Sequence, residues 1–311
     1  MRVLVTGGAG FIGSHTVKAL QKIGDDVLVV DNLSRGHVIP EKPAQWLEAD
    51  LFSVEFEKAY EEFRPEAVIH LAAQVNVTTS WESPAHDLKQ NTESTLRLLE
   101  LSRRYGSAKF VFASSAAVYG ASSGILTERS PLVPCSPYGL SKRFAEEYIA
   151  LCGTRWDVPW LILRYSNVYG PYPEDGNPVG VCRIFSRSLQ EKYPLLIYGS
   201  GKQIRDFISV YDVAQANAQA CHSELEGEIL NISSGEGHSI LEVINCLVEV
   251  STKTPDIHFL AEGDSGVKYN VLSPNRSKNL LHWEPRWTLA EGLRDLWVNM
   301  KGQKEEGQWE V

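Results

Sequence analysis

The sequence predicts an α/β protein built on a doubly wound parallel sheet, and three observations carry that prediction. Short β-branched runs alternate with longer amphipathic ones, the order that covers both faces of a parallel sheet with helices. A glycine triplet stands at the first strand-to-helix turn, and an acidic residue ends the next strand. The composition, 43% hydrophobic and 22% charged over 311 residues, is rich enough in apolar side chains for a sizeable core.

The elements follow in order. RVLVTG is the first strand and FIGSHTVKALQKIG the first helix; DVLVVD, WLEAD, AVIHLAA and KFVFASS read as further strands. A helix from Asp87 to Tyr105 carries Leu88, Leu96, Leu98, Leu99 and Leu101 and stops at Gly106. After a helix at SPYGLSK, the run PWLILRYSNVYG reads as one more strand, which closes the first unit near residue 170. GPYPEDGNPVG is a Pro/Gly-rich loop. From RDFISVYDVAQANAQA to GEILNIS the pattern is again a helix and a buried strand, so the chain is expected back in the first sheet at about residues 205–233. The expected architecture is a Rossmann-type domain over residues 1–170 with a smaller, discontinuous C-terminal substrate-binding domain from residues 171–204 and 234–311.

A net charge of −9 without a basic run argues against nucleic acid as a partner. MRVLVT leads straight into the glycine-rich stretch and no apolar run reaches transmembrane length, so a soluble, cytoplasmic protein with no membrane partner is expected. The five cysteines, Cys135, Cys152, Cys182, Cys221 and Cys246, form no CxxC pair. They suggest neither a metal site nor a disulfide framework and read as buried small hydrophobes.

In GGAGFIG, Gly7 allows the tight turn, Gly10 lets the backbone approach a pyrophosphate, and Gly13 lets the helix pack closely on the strand. Asp31, ending the next strand, is placed to bond the adenosine ribose and favours NAD, because its carboxylate would repel the 2′-phosphate of NADP. Arg35 could accommodate that phosphate, but reads better as a solvated loop residue. Asp50 could reach the adenine or cap the helix that begins near Ser53.

Ser136 and Pro137 have the character of an N-cap and first helical residue, which puts Tyr138 and Lys142 one turn apart on one helix face. A neighbouring cation lowers a phenol's pKa, so Tyr138 is a candidate base; an ordinary amphipathic helix would show the same spacing. Ser115, at the carboxyl edge of the sheet where ligands of such folds bind, favours the chemical reading.

With these residues in place the chain resembles the extended short-chain dehydrogenase/reductases, and within them the NAD-dependent UDP-sugar epimerases and dehydratases. GGAGFIGSH, DNLSRG, HLAAQV, SSAAVYG, YGLSK, RYSNVYGP, IRDFISVYDVA and HWEPRWTLAEGL carry the resemblance over nearly the whole chain. It implies that Tyr138 is the base, that Lys142 binds the nicotinamide ribose and lowers the tyrosine's pKa, and that Ser115 bonds the sugar's reacting oxygen. It also implies an NAD site in which Phe11 and Ile12 join the glycine turn and Asn32, Ser34 and Arg35 flank Asp31. Leu51 follows Asp50 there, and Leu71, Ala72, Ala73 and Gln74 follow the fourth strand, with Tyr165 farther along. Asn91 would support the cofactor loop, although helix-surface polarity explains it nearly as well. His70 reads as a satisfied histidine and the tryptophans from Trp283 to Trp297 as core.

Among the family's reactions, 4-epimerisation fits best. Dehydratases place an Asp-Glu pair where this chain has Ala116 and Ala117, and two methyl groups cannot transfer protons. The resemblance thus implies a UDP-sugar substrate, UDP-glucose and UDP-galactose first, with N-acetylhexosamine or hexuronic acid forms next. Asn167 and Arg205 would hold the UDP, although Arg205 could instead pair with Asp206; Val181, Arg183 and Tyr198 would line its pocket, the last two with a packing role as the alternative. Relatives read Arg-x-Gly-Asp where this chain has AEGD: Ala261 replaces the arginine and Asp264 remains for the uridine ribose. Losing that charge-assisted contact would cost roughly 1.5–3 kcal/mol unless Lys268 or Arg276 compensates. A homodimer through the helix before Gly106 and the one after Pro137 is implied as well. The rival readings are another nucleotide-sugar oxidoreductase or dehydratase, and a non-catalytic NAD(H) sensor, which would be expected to lose Tyr138 and Lys142.

Overall fold

The computed structural model describes residues 1–35, 45–106, 108–172, 180–261 and 267–306. Strand β1 (Arg2–Thr6) passes through the glycine turn into α1 (Phe11–Lys22), then β2 (Asp26–Asp31), β3 (Gln45–Glu48), α2 (Val54–Phe63) and β4 (Ala67–His70). Two short helices, α3 (Val77–Glu82) and α4 (Pro84–Leu88), precede α5 (Ser94–Tyr105), β5 (Lys109–Ser115), α6 (Pro137–Tyr148), β6 (Trp160–Tyr165) and β7 (Asn167–Tyr169). The chain continues through α7 (Val181–Glu191), β8 (Leu195–Tyr198), β9 (Ile204–Ser209), α8 (Val210–His222) and β10 (Glu228–Ile232). It ends with β11 (Gly237–Ser239), α9 (Ile240–Ser251), β12 (Ile257–Leu260), β13 (Tyr269–Asn270) and α10 (Leu289–Glu306).

Seven strands form a wholly parallel sheet in the order β10-β6-β5-β4-β1-β2-β3. The Rossmann-type α/β class expected from the sequence is the class observed. Side chains alternate across the sheet: Val3 and Val5 pack toward Val17 and Leu20 of α1 and Val213 of α8, whereas Leu4 packs toward Phe56 of α2 and Leu98 of α5. Each such aliphatic side chain, fully buried, contributes about 1.5–3 kcal/mol. The winding reverses between β1 and β4, and at such a switch point the carboxyl ends of the strands open a crevice for ligands.

The strand GEILNIS enters the large sheet beside β6, with Leu230 opposite Leu163. Two segments differ from the sequence reading. PWLILRYSNVYG is not one strand: it divides at Ser166, whose N–H bonds Ile232, and β7 leaves to pair with β9. RDFIS is strand rather than helix, and α8 starts only after Ser209, whose hydroxyl caps Tyr211. β9 is flanked by antiparallel β11 on one side and by parallel β13 and β7 along the other. β8 pairs with β12. Phe185, Ile197, Val243, Leu247, Leu293 and Trp297 make the core of this smaller part.

The helix expected from Asp87 to Tyr105 is interrupted by a π-turn at Lys89–Glu93, where Asn91 and Thr92 are buried, and it ends at Gly106 with φ +128°. Cys182 and Cys221 are buried as expected, Cys152 and Cys246 partly so, and Cys135 is exposed because it precedes α6 on the surface. Trp283 and Trp297 belong to the core, while Trp287 is half-buried and stacks on Tyr211. Among the described residues no helix is long and apolar enough to cross a membrane, and no group of His, Cys, Asp and Glu is arranged to hold a metal.

Candidate active site

A cleft of about 1000 Å³ lies at the switch point, at the upper end of the range for small-molecule sites. One end is the glycine turn. Gly7 has φ +70°, and a Cβ there would stand 2.5 Å from the Ala72 amide nitrogen; a Cβ on Gly13 would stand 2.1 Å from the Gly7 carbonyl oxygen. Only glycine fits either place. Gly10 caps α1 without a side chain, which leaves the first-turn N–H groups available to an anion in the cleft. Asp31 braces the turn, accepting Ala9 N–H on one oxygen (3.0 Å) and Leu33 N–H on the other (2.9 Å).

Phe11, Ile12, Asn32, Ser34, Arg35, Leu51, Leu71, Ala72, Ala73 and Tyr165 all line the cleft. Arg35 is exposed. Asp50 faces the cleft rather than capping α2: Ser53 is the cap, bonding Phe56 N–H, and Asp50 accepts Phe52 N–H at 2.9 Å. Asn91 does not line the cleft. It is fully buried behind the wall, where its amide accepts the N–H of Gln74 and donates to the carbonyl of Gln74, at 2.9 and 3.0 Å. His70 is satisfied by Thr6 and Thr95, and burial holds its pKa well below the usual histidine range.

The other wall is built by α6. Ser136 caps it through Gly139 N–H (3.1 Å) with Pro137 first in the helix. Gly139 permits close packing, since a Cβ there would stand 2.5 Å from the Ala117 carbonyl oxygen. Tyr138 therefore sits against the end of β5 near Ser115, and both line the cleft with Lys142. The lysine is 3% exposed; its Nζ donates to the Ala113 carbonyl at 2.9 Å and lies 4.7 Å from the centre of the Phe112 ring.

The titration differs from the sequence reading. Burial raises the Tyr138 pKa above its ordinary value, opposed by the neighbouring Ser115 hydroxyl, and the Asp87 charge adds to the rise. Burial also pushes the Lys142 amine down to about 8, against the pull of Asp87 and Glu146. The chain closes Lys142 off from water and turns its ammonium toward a backbone carbonyl, while Tyr138 stays half-buried at the cleft wall.

Asn167, Val181, Arg183 and Arg205 come to the cleft from the smaller part. Arg205 donates to the carbonyls of Ile204 (2.9 Å) and Val267 (2.8 Å), not to Asp206. Asp206 points to the other side of β9, fully buried, where it accepts the N–H groups of Ser234, Gly235 and Leu272. Tyr198 is 58% exposed on β8 and does not line the cleft, because Leu195 and Ile197 take the inward positions of that strand. Asp264 lies outside the described residues. Sequence reasoning missed Tyr172: its hydroxyl donates to the Ala9 carbonyl at 2.8 Å, and the Arg183 guanidinium lies 5.5 Å from its ring centre. It stood in a Pro/Gly-rich loop, where nothing but its aromatic character distinguished it.

A model of the NAD dependent epimerase/dehydratase family matches residues 3–233. The chain belongs to that family. It is similar to the UDP-glucose 4-epimerase of Thermus thermophilus, solved in complex with NAD: 38% identity, 97% of this chain and 99% of that one, TM-score 0.91. The UDP-glucose 4-epimerase of Thermotoga maritima, solved with UDP-glucose, is 35% identical over 98% of this chain and all of that one, TM-score 0.94. A UDP-N-acetylglucosamine 4-epimerase from Methanobrevibacter ruminantium, in complex with UDP-N-acetylmuramic acid, is 29% identical over 97% and 98%, TM-score 0.91.

Proposed function

We propose that this protein inverts C4 of a UDP-hexose, interconverting UDP-glucose and UDP-galactose with NAD as a resident catalytic cofactor. The observation that carries the reading is that Tyr138, Ser115 and Lys142 line one wall of the cleft that also holds the glycine turn. The residues fit a dinucleotide: Gly7 and Gly13 leave room that a Cβ would fill, the uncapped start of α1 suits a pyrophosphate, and Asp31 suits an unphosphorylated ribose. Bound NAD supplies a hydride acceptor and donor next to the sugar. Lys142 uses one of its three donors on Ala113, leaving two for ribose hydroxyls.

Tyr138 takes the proton of the sugar C4 hydroxyl and later returns it, while Ser115 hydrogen-bonds the same oxygen. Because burial holds the phenol protonated, transfer requires positive charge close to the ring oxygen, and Lys142 one turn away supplies it once its amine faces the ligand. Arg183 and Arg205 bind the diphosphate with fixed guanidinium donors, and Asn167 contacts the nucleotide. Water elimination would need a further acid and base. Among the described residues the carboxylates lining the cleft are Asp31 and Asp50, both at the glycine-turn end, which supports epimerisation over dehydration.

Two copies pair through the outward faces of α5 and α6, the latter exposing Leu140, Phe144 and Tyr148, and all five cysteines are free, as suits a reducing cytoplasm. Tyr138→Phe tests the assignment. Turnover is expected to fall at least about 100-fold with NAD binding retained. Normal turnover of that variant would overturn it.

A further inference from the structure

We propose that Asp87 is a positioning residue of this site, a buried counter-charge that ties the helix bearing Tyr138 and Lys142 to the loop bearing Gln74. The inference deepens the reading above and rests on it for its catalytic meaning. Asp87 is 1% exposed on α4. One carboxylate oxygen accepts the Gln74 side-chain amide at 2.7 Å and the Asn91 amide at 3.1 Å; the other accepts the Ser141 hydroxyl at 2.5 Å. Ser141 lies immediately before Lys142, and its hydroxyl also contacts the Tyr138 carbonyl at 3.0 Å. Thr92 adds a bond to the Ser141 carbonyl at 2.8 Å. The π-turn at Lys89–Glu93 is what turns Asn91 and Thr92 inward to close this knot, a distortion of the kind that recurs at functional sites.

All of these hydrogen-bond partners of Asp87 are neutral, so its charge acts on whatever cation stands beyond them. That cation is Lys142. Two carboxylates act on the ammonium, Asp87 on α4 and Glu146 on α6, and the ammonium in turn acts on His70 of β4. Glu146 is engaged by Arg164 in a two-point ion pair, and His70 is held neutral by burial. Asp87 is the larger of the two charges that oppose the burial of Lys142. A purely apolar knot would fix the helix equally well but would leave the amine to lose its proton closer to neutrality.

Asp87→Asn separates charge from shape. The amide keeps one oxygen for Gln74 and Asn91, and its NH₂ meets the Ser141 hydroxyl, which can accept as well as donate. Lys142 is followed by NMR in protein carrying ¹³C-labelled lysine, and epimerisation is measured across pH. The amine's titration is expected to move down by about one pH unit, a tenfold loss of proton affinity. The alkaline limb of kcat/KM should move with it. Ser141→Ala, which cuts a bond but keeps the charge, should leave the titration where it is. An Asp87→Asn protein that loses its far-UV circular dichroism, or in which Lys142 titrates as in the parent, would make Asp87 only a structural clamp and overturn the proposal. So would an equal shift in Ser141→Ala. The NMR titration needs no turnover, so a parent protein without epimerase activity would sink the functional reading while this coupling is still measured.

Discussion

Glu146 lies two turns beyond Tyr138 on the same face of α6 and anchors that helix to the sheet. Its carboxylate meets the Arg164 guanidinium at 2.9 and 2.6 Å and accepts the Ser114 hydroxyl at 2.5 Å; the two charged side chains are 3% and 2% exposed. With Glu146→Ala the guanidinium keeps only the Tyr119 hydroxyl at 2.9 Å and a long contact to the Glu128 carbonyl at 3.5 Å. Removing one member of a buried pair costs about 3–5 kcal/mol, because the other charge is left without compensation. That is a large share of a total stability of about 5–15 kcal/mol. At roughly 2 °C per kcal/mol for a chain of this size, Tm should fall by about 6–10 °C. Replacing both residues with apolar ones of similar volume, Glu146→Leu with Arg164→Met, should recover most of the loss, since neither charge is then buried. Thermal and urea unfolding of the parent, both single variants and the double variant closes the cycle. A loss below about 1 kcal/mol in Glu146→Ala, or a double variant no more stable than the singles, would refute the reasoning.

Arg205→Leu should raise KM for a UDP-sugar by roughly 10- to 100-fold, the equivalent of one or two charge-assisted hydrogen bonds, with kcat changed less; initial-rate kinetics decide it. His70 is buried and neutral, so below its ordinary pKa of 6.5 the unfolded chain binds a proton that the folded one refuses. Stability should therefore fall as pH drops through 6.5, and His70→Gln should flatten that limb in urea titrations read at successive pH values.

The parts of the molecule that depend on local geometry were readable before any coordinates. GGAGFIG needs glycine at 7 and 13 for contacts with the backbone a few atoms away, and SPYGLSK encodes cap, proline and one-turn spacing within seven residues. The less readable parts depend on distant contacts. PWLILRYSNVYG has strand character throughout, and only the presence of β9 decides that its last residues change sheets. Asn91 looks like helix-surface polarity until the π-turn rotates it inward toward Gln74. Tyr198 and Leu196 alternate outward on β8 for want of a partner layer, which no pattern within LLIY distinguishes from an inward register. Spacing shows that a cation is near Tyr138 on the helix but not that its amine turns to a carbonyl, nor that burial raises the phenol's pKa.

The central claim is that the cleft performs a redox-neutral inversion at one sugar carbon. The most direct measurement supplies the purified protein with UDP-glucose and a trace of NAD, then follows UDP-galactose by chromatography and reduced nicotinamide by absorbance together. UDP-galactose should rise to an equilibrium mixture with no net accumulation of NADH. Reduced cofactor building up in proportion to sugar consumed, or no UDP-galactose from NAD-loaded protein, would contradict it.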